Sequence, residues 1–509
     1  MTPKPALLGI DLGTSSIKVG AFDLSGRLLA LARAQTPTDR LPGGWAEHDP
    51  EQIWVATARL VAEVVGGLTE HTIEAVATAS VGEAGVPVDA SGRAVRPAIA
   101  WFDSRAQAES DWWAKSVGTD LVTRISGQPI DASYSASKLL WIRRHEPDAF
   151  AATRRWLSLA DVIVYRLCGE FFTDQSLASR TMLFDQRTLS WSDELISLGG
   201  FSRALFPPAL PGGTRIGGVS GEASTLTGLR RGTPVVLGGH DRLCAAFATR
   251  GGQDVLIDSI GSAEAIVVPV TNYVERTALE AGSVSCYADV VPGRYVMSAR
   301  VGYAGALLDW FQRDLLGEPL MGNQGALTLD EQVPWPLSWS GLLVYASFGR
   351  VLTPEFDPST AYGTILGLTL AHKKHHVLQA LCEGVAYSLR TNIEWLERLT
   401  DQPISTIRVE GGFTRSRVWM QLNADVTGRQ IEGCRVEEAT ALGAALLGGV
   451  GAGIFANCQA AGAAVALDIE TWSPDRELHA TYSRVYNQGY RHIRKQLSDF
   501  GRLFQNGAH

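Results

Sequence analysis

Short apolar runs alternate along the chain with longer segments whose hydrophobic residues fall at helical spacing. Residues 7–10 and 17–22 read as two strands, with Gly13 between them where a tight turn is needed. PEQIWVATARLVAEVVGGL (50–68) has the spacing of a helix, IEAVATASV (73–81) that of a strand, and WFDSRAQAESDWW (101–113) leads into another helix. KLLWIRR (138–144) is helical, and WLSLADVIVYRLCG (156–169) is a helix that Gly169 ends. Near Thr233 the pattern restarts. TPVVLGGHDRLCAAFA is a strand, a glycine pair and an Ala-rich helix opened by His240 and Asp241, and DVLIDSIGSAEAIVVPV is a strand, a turn at Gly261 and Ser262, and a second strand. STIRVEGGFTRSRVWMQLNADVTG reads as a strand ending on Gly411 and Gly412, then a helix starting near Ser416. Two similar hairpins, one per half, predict an internally duplicated architecture.

Residues 439–467 carry no charge and are long enough to suggest a membrane span. Their Ala and Gly content, with Asn457 and Gln459, predicts instead a buried helix, a glycine-rich break over 448–453 and a second helical segment. Residues 474–503 read as an amphipathic helix.

Composition narrows the class. A chain of 509 residues exceeds one ordinary core, so two domains are expected, and 45% hydrophobic and 19% charged residues describe a compact α/β protein. The net charge of −8, with no basic run, argues against nucleic acid and favours small-molecule partners. Six cysteines stand singly with neither a CxxC pair nor zinc spacing, so they read as reduced thiols. No basic segment precedes an apolar signal core at the N-terminus, and a cytoplasmic protein with no membrane partner is expected.

Familiar nucleotide motifs fail. There is no G-x-x-x-x-G-K-[ST], and no lysine follows a glycine. The DFG at 499–501 has no catalytic loop before it, and GGVGAG follows a helix where a dinucleotide motif needs a strand. The opening turn offers another solution: Asp11, Gly13, Thr14, Ser15, Ser16 and Lys18 supply backbone N–H groups, hydroxyls and a cation to a phosphate, and a carboxylate to a metal. The same residues also suit a plain polar hairpin.

Together with the Gly261-Ser262 hairpin, the Gly411-Gly412 turn and GGHD ending in Asp241, this stretch resembles the FGGY carbohydrate kinases of the actin and hexokinase superfamily. The resemblance spans nearly the whole chain, through GGWAEHDPEQIW (43–54), SYSASKLLWIRRH (133–145), TDQSLASRTMLFD (173–185) and GTILGLTLAHKKHHVLQALCEGVAY (363–387). It implies two RNase-H-like α/β domains, 1–245 for sugar and phosphate and 246–509 for nucleotide, with a cleft between them. It implies transfer of the ATP γ-phosphoryl group to a sugar or polyol hydroxyl, with Mg²⁺ as the second cofactor, and a homodimer as a family-level expectation. By position Asp241 resembles the general base; its other reading is a helix N-cap. Asp11, with Asp241, would hold Mg²⁺, while Gly13, Thr14, Ser15, Ser16 and Lys18 would bind the transferring phosphate and Gly261 with Ser262 would approach it from the other half. Gly305 and Asp309 match positions along the nucleotide, and Gly411, Gly412, Phe413 and Ser416 would border the adenosine.

The acceptor segment departs from its relatives. Where xylulokinase-like members have a Gln-Met-His type segment and glycerol kinases Arg-Glu, this chain has Gly82, which leaves room, and Glu83, which can accept from two hydroxyls. AWFDSRA resembles the xylulokinase branch and suggests Trp101 as an apolar wall, with Asp103 and Arg105 either touching the acceptor or pairing with each other. GRVLTP (349–354) replaces the usual Gly-Glu-Arg-Thr-Pro. A ketose such as D-xylulose is the expected acceptor; glycerol, a tetritol, ribulose or gluconate, or an actin-like ATPase with no acceptor, are the other readings.

Overall fold

The computed structural model describes residues 3–250, 255–275, 284–317, 325–348, 362–493 and 496–497, with the backbone alone for 325–328. The GRVLTP stretch and the DFG tripeptide lie outside the described residues.

In the first half, β1 (Lys4–Leu12), β2 (Ser16–Phe22) and β3 (Leu28–Gln35) form an antiparallel meander. Helix α1 (Pro50–Gly67) follows, its first turn capped by the Asp49 carboxylate, which accepts from the Glu51 and Gln52 N–H groups. β4 (His71–Ser80) then pairs parallel to β1. Helices α2 (Ser135–His145) and α3 (Leu159–Cys168) come next; α3 has a Ser158/Asp161 capping box and ends on Gly169 at φ 82°. β5 (Arg215–Gly218) and β6 (Pro234–His240) complete a sheet of order β5-β6-β4-β1-β2-β3, and α4 (Asp241–Arg250) leaves it.

The second half repeats this plan. β7 (Leu256–Ile260) and β8 (Ala263–Val270) form a hairpin, β9 (Val284–Ala288) and β10 (Tyr295–Tyr303) extend it, and β10 lies antiparallel to β8. Helices α5 (Gly305–Trp310) and α6 (Lys374–Thr400) precede β11 (Thr406–Gly411), which is parallel to β7. After α7 (Arg417–Thr427) comes β12 (Gln430–Arg435), parallel to β11; α8 (Ala439–Gly451) and β13 (Asp468–Trp472) follow, for an order β9-β10-β8-β7-β11-β12-β13. In both sheets a hairpin and a third antiparallel strand are followed by two parallel strands, so the predicted duplication is present in the topology.

The two helices that leave the fifth strand of each repeat meet. α8 lies across β1, β4 and β6 and packs against α4, and one apolar cluster unites Leu7, Ala77, Val236, Phe247, Leu442 and Leu446. Approach is by backbone: a Cβ on Gly9 would land on the Ala441 carbonyl, and one on Gly443 would land on the Cys244 carbonyl. The break expected over 448–453 is absent up to Gly451, because these glycines are spacers. Added carbons would reach Ala75 and Ala77 from Gly448, Phe455 from Gly449, and Val236 at 2.6 Å from Gly451. The division expected between residues 245 and 246 falls inside α4, so the chain passes between the sheets through a helix. The C-terminal helix is continuous over Arg476–Val485 and widens over Tyr486–Tyr490. All six cysteines are free thiols, and among the described residues no helix is long and apolar enough to cross a membrane.

Gly443→Ala should destabilise the protein by about 1–3 kcal/mol through overpacking of α8 on α4. Gly66→Ala, at a helical glycine with nothing within 4 Å of its added carbon, should be neutral or stabilising. Thermal unfolding of the two variants tests this, and equal effects would contradict it.

Candidate active site

The site is assembled where β1, β4, β6 and β7 present their C-terminal ends. Asp11 closes β1 and is buried at 7% exposure, with Lys18 opposite it on β2 and Ala79 on β4. The turn is tight: Gly13 N–H donates to the Ser16 carbonyl at 3.1 Å, and the Thr36 hydroxyl donates to the Gly13 carbonyl at 2.7 Å. Thr14 Oγ1 accepts from the Trp101 indole at 2.8 Å, so Trp101 is anchored to the hairpin.

From the other half the Gly261-Ser262 turn faces the same space. Gly305 N–H donates to the Gly261 carbonyl at 3.0 Å, and a Cβ on Gly305 would sit 2.7 Å from it, which fixes the start of α5 on the turn. Gly411 is at φ 104°, where an added Cβ would strike the Ile260 carbonyl, so only glycine fits. Gly412 meets nothing within 4 Å and offers bare backbone to open space. Phe413 packs on Trp419, with ring centres 4.6 Å apart. Between the halves lies a cavity of about 480 Å³ lined by Asp11, Lys18, Arg242, Gly261, Glu410 and Gly411, among others.

Asp241 heads α4. Among the described residues its carboxylate accepts one hydrogen bond, from the adjacent Arg242 N–H at 2.6 Å, and it does not reach the later N–H groups that an N-cap satisfies. Burial pushes its pKa up to about 6, opposed by the Arg242 charge. Asp11 is pushed up to about 7, by burial first and then by the Asp241 charge, with Lys18 acting against both. His240 is packed edge-on to Tyr287 and, through burial and then the Arg180 charge, held down to about 3, so it stays neutral.

Several expected roles change. The room at Gly82 is filled: an added Cβ would lie 2.6 Å from both Arg180 Cγ and His240 Cδ2. Glu83 Oε1 accepts from Arg180 Nε at 2.7 Å and from its Nη2; burial opposes ionisation, but this pairing holds Glu83 down to about 2. Among the described residues Oε2 has no partner, so Glu83 keeps one free oxygen, whose two lone pairs are left to accept from hydroxyls. Asp103 is a scaffold residue: its carboxylate has no exposed area, binds Arg105 at 2.7 Å and accepts the Ala46 N–H, and Arg105 also grips Glu47 at 2.6 Å. Ser416 caps α7 at Trp419 and donates to Asp330 at 2.5 Å, which consumes its hydroxyl. Lys18 pairs with Glu438, from the other half, at 2.7 Å. Asp309 lies half-buried on α5.

Sequence reasoning missed Arg180, Lys138, Arg242, Glu410 and Glu438. Lys138 is fully buried on α2, donates to the Glu83 and Ala100 carbonyls at 3.0 and 2.9 Å, and is lowered by burial to about 7. Arg180 lies within TDQSLASRTMLFD, and Arg242 adjoins Asp241 in the chain. For Glu438 the clue is conformational, a left-handed backbone at φ 52° that turns the chain into α8.

The model for the N-terminal domain of the FGGY family of carbohydrate kinases matches residues 6–248, and that for its C-terminal domain matches residues 270–452. The chain belongs to this family. FGGY kinases are phosphotransferases with an alcohol group as acceptor, and the fold is the two-domain α/β fold of the actin and hexokinase superfamily. A glycerol kinase of Methylibium petroleiphilum is 31% identical over 468 residues, covering 88% of this chain and 91% of its own. A gluconokinase of Bacillus subtilis is 27% identical over 458 residues, covering 87% and 86%. The solved xylulose kinase of Rhodospirillum rubrum superposes with a TM-score of 0.87 at 27% identity, over 98% of this chain and all 100% of its own. These FGGY relatives carry three different acceptors in their names at similar distance.

A buried carboxylic acid with a folded pKa above its unfolded value of 3.8 keeps a proton that the unfolded chain has released, so stability falls as pH rises from about 4 through 7. For Asp11 this loss is of the order of a few kcal/mol. A divalent cation held by ionised Asp11 and Asp241, as expected from the family resemblance, would offset it. Mg²⁺ should therefore raise the unfolding temperature more at pH 8 than at pH 5, and an equal rise at both would contradict this.

Proposed function

We propose that the protein transfers the γ-phosphoryl group of ATP to a hydroxyl of a neutral sugar, a ketose such as D-xylulose, with Asp241 as general base. The observation that carries this is the position of Asp241: a carboxylate with almost no hydrogen bonding, pushed up to about 6, and near enough to Glu83 and Asp11 for their charges to act together. An alcohol is a weak nucleophile, and a carboxylate that takes its proton as the new P–O bond forms is what such a transfer needs.

Asp11 and Asp241 would hold Mg²⁺. Two carboxylates with Asp11 free of hydrogen bonds among the described residues suit an ion that keeps most of its waters. When bound, it would neutralise charge on the phosphate oxygens. Gly13, Thr14, Ser15 and Ser16 from one hairpin and Gly261 with Ser262 from the other would surround the phosphates, and Lys18 would exchange Glu438 for phosphate. Gly305, Asp309, Gly411, Gly412 and Phe413 would lie along the nucleoside, with Ser416 supporting them through its cap.

Charge balance favours a neutral acceptor. Arg180 is neutralised by Glu83, and Lys138 is turned into backbone carbonyls, so on the Glu83 side of Asp241 neither of these cations is left for a sugar carboxylate. The free Glu83 oxygen and the Trp101 ring would hold one hydroxyl and one apolar face.

A coupled assay of ADP release over pentuloses, hexuloses, polyols and sugar acids tests the acceptor, with the phosphorylated product identified by mass. Neutral ketoses should turn over fastest, and gluconate as the best substrate would overturn the charge argument. Asp241→Asn should lower kcat about 10²–10⁴-fold on every acceptor. The acid limb of kcat/KM should fall away below about pH 6, where Asp241 takes up a proton. Full activity of Asp241→Asn would remove the base from the mechanism.

A further inference from the structure

Among the described residues several cations near the cleft are matched to carboxylates, and Arg242 is not. Lys18 is held by Glu438 at 2.7 Å, Arg250 by Asp289 at 2.9 Å and Arg408 by Glu432 at 2.6 Å, while Arg180 pairs with Glu83. Arg242 lines the same cavity as Asp11, Lys18 and Gly261, is exposed, and among the described residues its guanidinium makes no hydrogen bond or ion pair. Three carboxylates, Asp11, Glu410 and Glu438, line that cavity with it, yet Arg242 binds none of them. Glu410 accepts instead from Ser259 and from Thr249 at 3.2 Å. An arginine kept exposed among carboxylates, without pairing, costs the protein the stabilisation such a pair provides. Its backbone is nevertheless fixed, because Arg242 N–H is the donor to Asp241.

We propose that Arg242 is a further catalytic residue, whose guanidinium binds the phosphoryl group as it passes from the nucleotide to the acceptor. The inference rests on the kinase reading above. A planar fork of N–H donors matches two oxygens of a phosphoryl group, and charge on the equatorial oxygens is what phosphoryl-transfer catalysts stabilise. During transfer, the bond from the bridging oxygen to phosphorus breaks with its electrons leaving on ADP. The acceptor oxygen forms the new bond, and its proton passes to Asp241. Arg242 and Asp241 are neighbours on the first turn of α4, so one rigid element carries both the cation for phosphorus and the base for the attacking oxygen. A cation serving the acceptor would stand by Glu83, where Arg180 already stands neutralised.

The test compares the full-length wild type with Arg242→Gln, Arg242→Lys and Arg242→Ala. Arg242→Gln should lower kcat about 100-fold, with the acceptor KM and the ADP dissociation constant within about threefold of wild type. Arg242→Lys should recover part of the loss, and guanidinium ion added to Arg242→Ala should restore turnover in a saturable way, which a folding defect would not permit. Removing the positive charge should also move the acid limb of kcat/KM to higher pH, because Arg242 holds Asp241 down. Binding of ADP, Mg²⁺ and aluminium fluoride, a mimic of the transferring group that needs no acceptor, should weaken about 100-fold in Arg242→Gln. That readout separates the two readings: wild type that traps aluminium fluoride but phosphorylates no sugar would leave Arg242 in place and remove the acceptor assignment. Unchanged kcat and unchanged trapping in Arg242→Gln, or a loss confined to the acceptor KM, would overturn the role of Arg242.

Discussion

The contact on which the rest depends is the seating of α8, an element of the second repeat, on the sheet of the first and against α4. It is a contact of backbones, since Gly9 meets the Ala441 carbonyl and Gly443 meets the Cys244 carbonyl. Interiors at such density have little room to yield. Because α8 is held this closely, Glu438 at its start reaches Lys18 on β2, and the hairpin of one half is tied to the other half. Asp241 takes its position relative to Asp11 from the first sheet, where Asp11 pairs with Ala79 and His240 with Ser80 on β4, and α8 packs on α4 behind it. Each repeat contributes one hairpin and one helix, and only their apposition makes a chemical site.

Electrostatics within that site follow a simple division. Charges that shape the walls are paired: Asp103 with Arg105, Glu83 with Arg180, Lys18 with Glu438. Charges that would do chemistry are not, and burial pushes Asp11 and Asp241 toward the neutral form in the absence of a cation. A divalent cation would restore the balance, which would make its binding and the ionisation of the two carboxylates a single event. Unpaired groups of this kind would mark the working face, with Arg242 a cation among them.

Both hairpins, α1, α3, the strand and helix around Asp241 and the Gly411-Gly412 turn were legible in the sequence, because period and turn chemistry are local. Of the residues named by the family resemblance, Asp11, Lys18, Gly261 and Gly411 line one cavity. What was not legible is long-range. Gly448 to Gly451 read as a break, since nothing local shows that a sheet lies against them and makes bare Cα atoms an asset. Gly82 read as space, but Arg180 fills it from a segment that sequence order places far away. Ser416 read as a ligand, and for Asp103 the pairing with Arg105 could not be told from contact with the acceptor, because a paired and an unpaired group look alike until their partners are seen.

The central claim is that the two hairpins and the head of α4 enclose one phosphoryl group. A crystal structure with a non-hydrolysable ATP analogue, Mg²⁺ and a ketose tests it most directly. The account predicts the γ-phosphate between the Gly13 and Gly261 turns, in contact with Arg242, and an acceptor hydroxyl within hydrogen-bond reach of Asp241. A triphosphate lying outside the cavity shared by Asp11, Arg242 and Gly261, or an acceptor remote from Asp241, would contradict it.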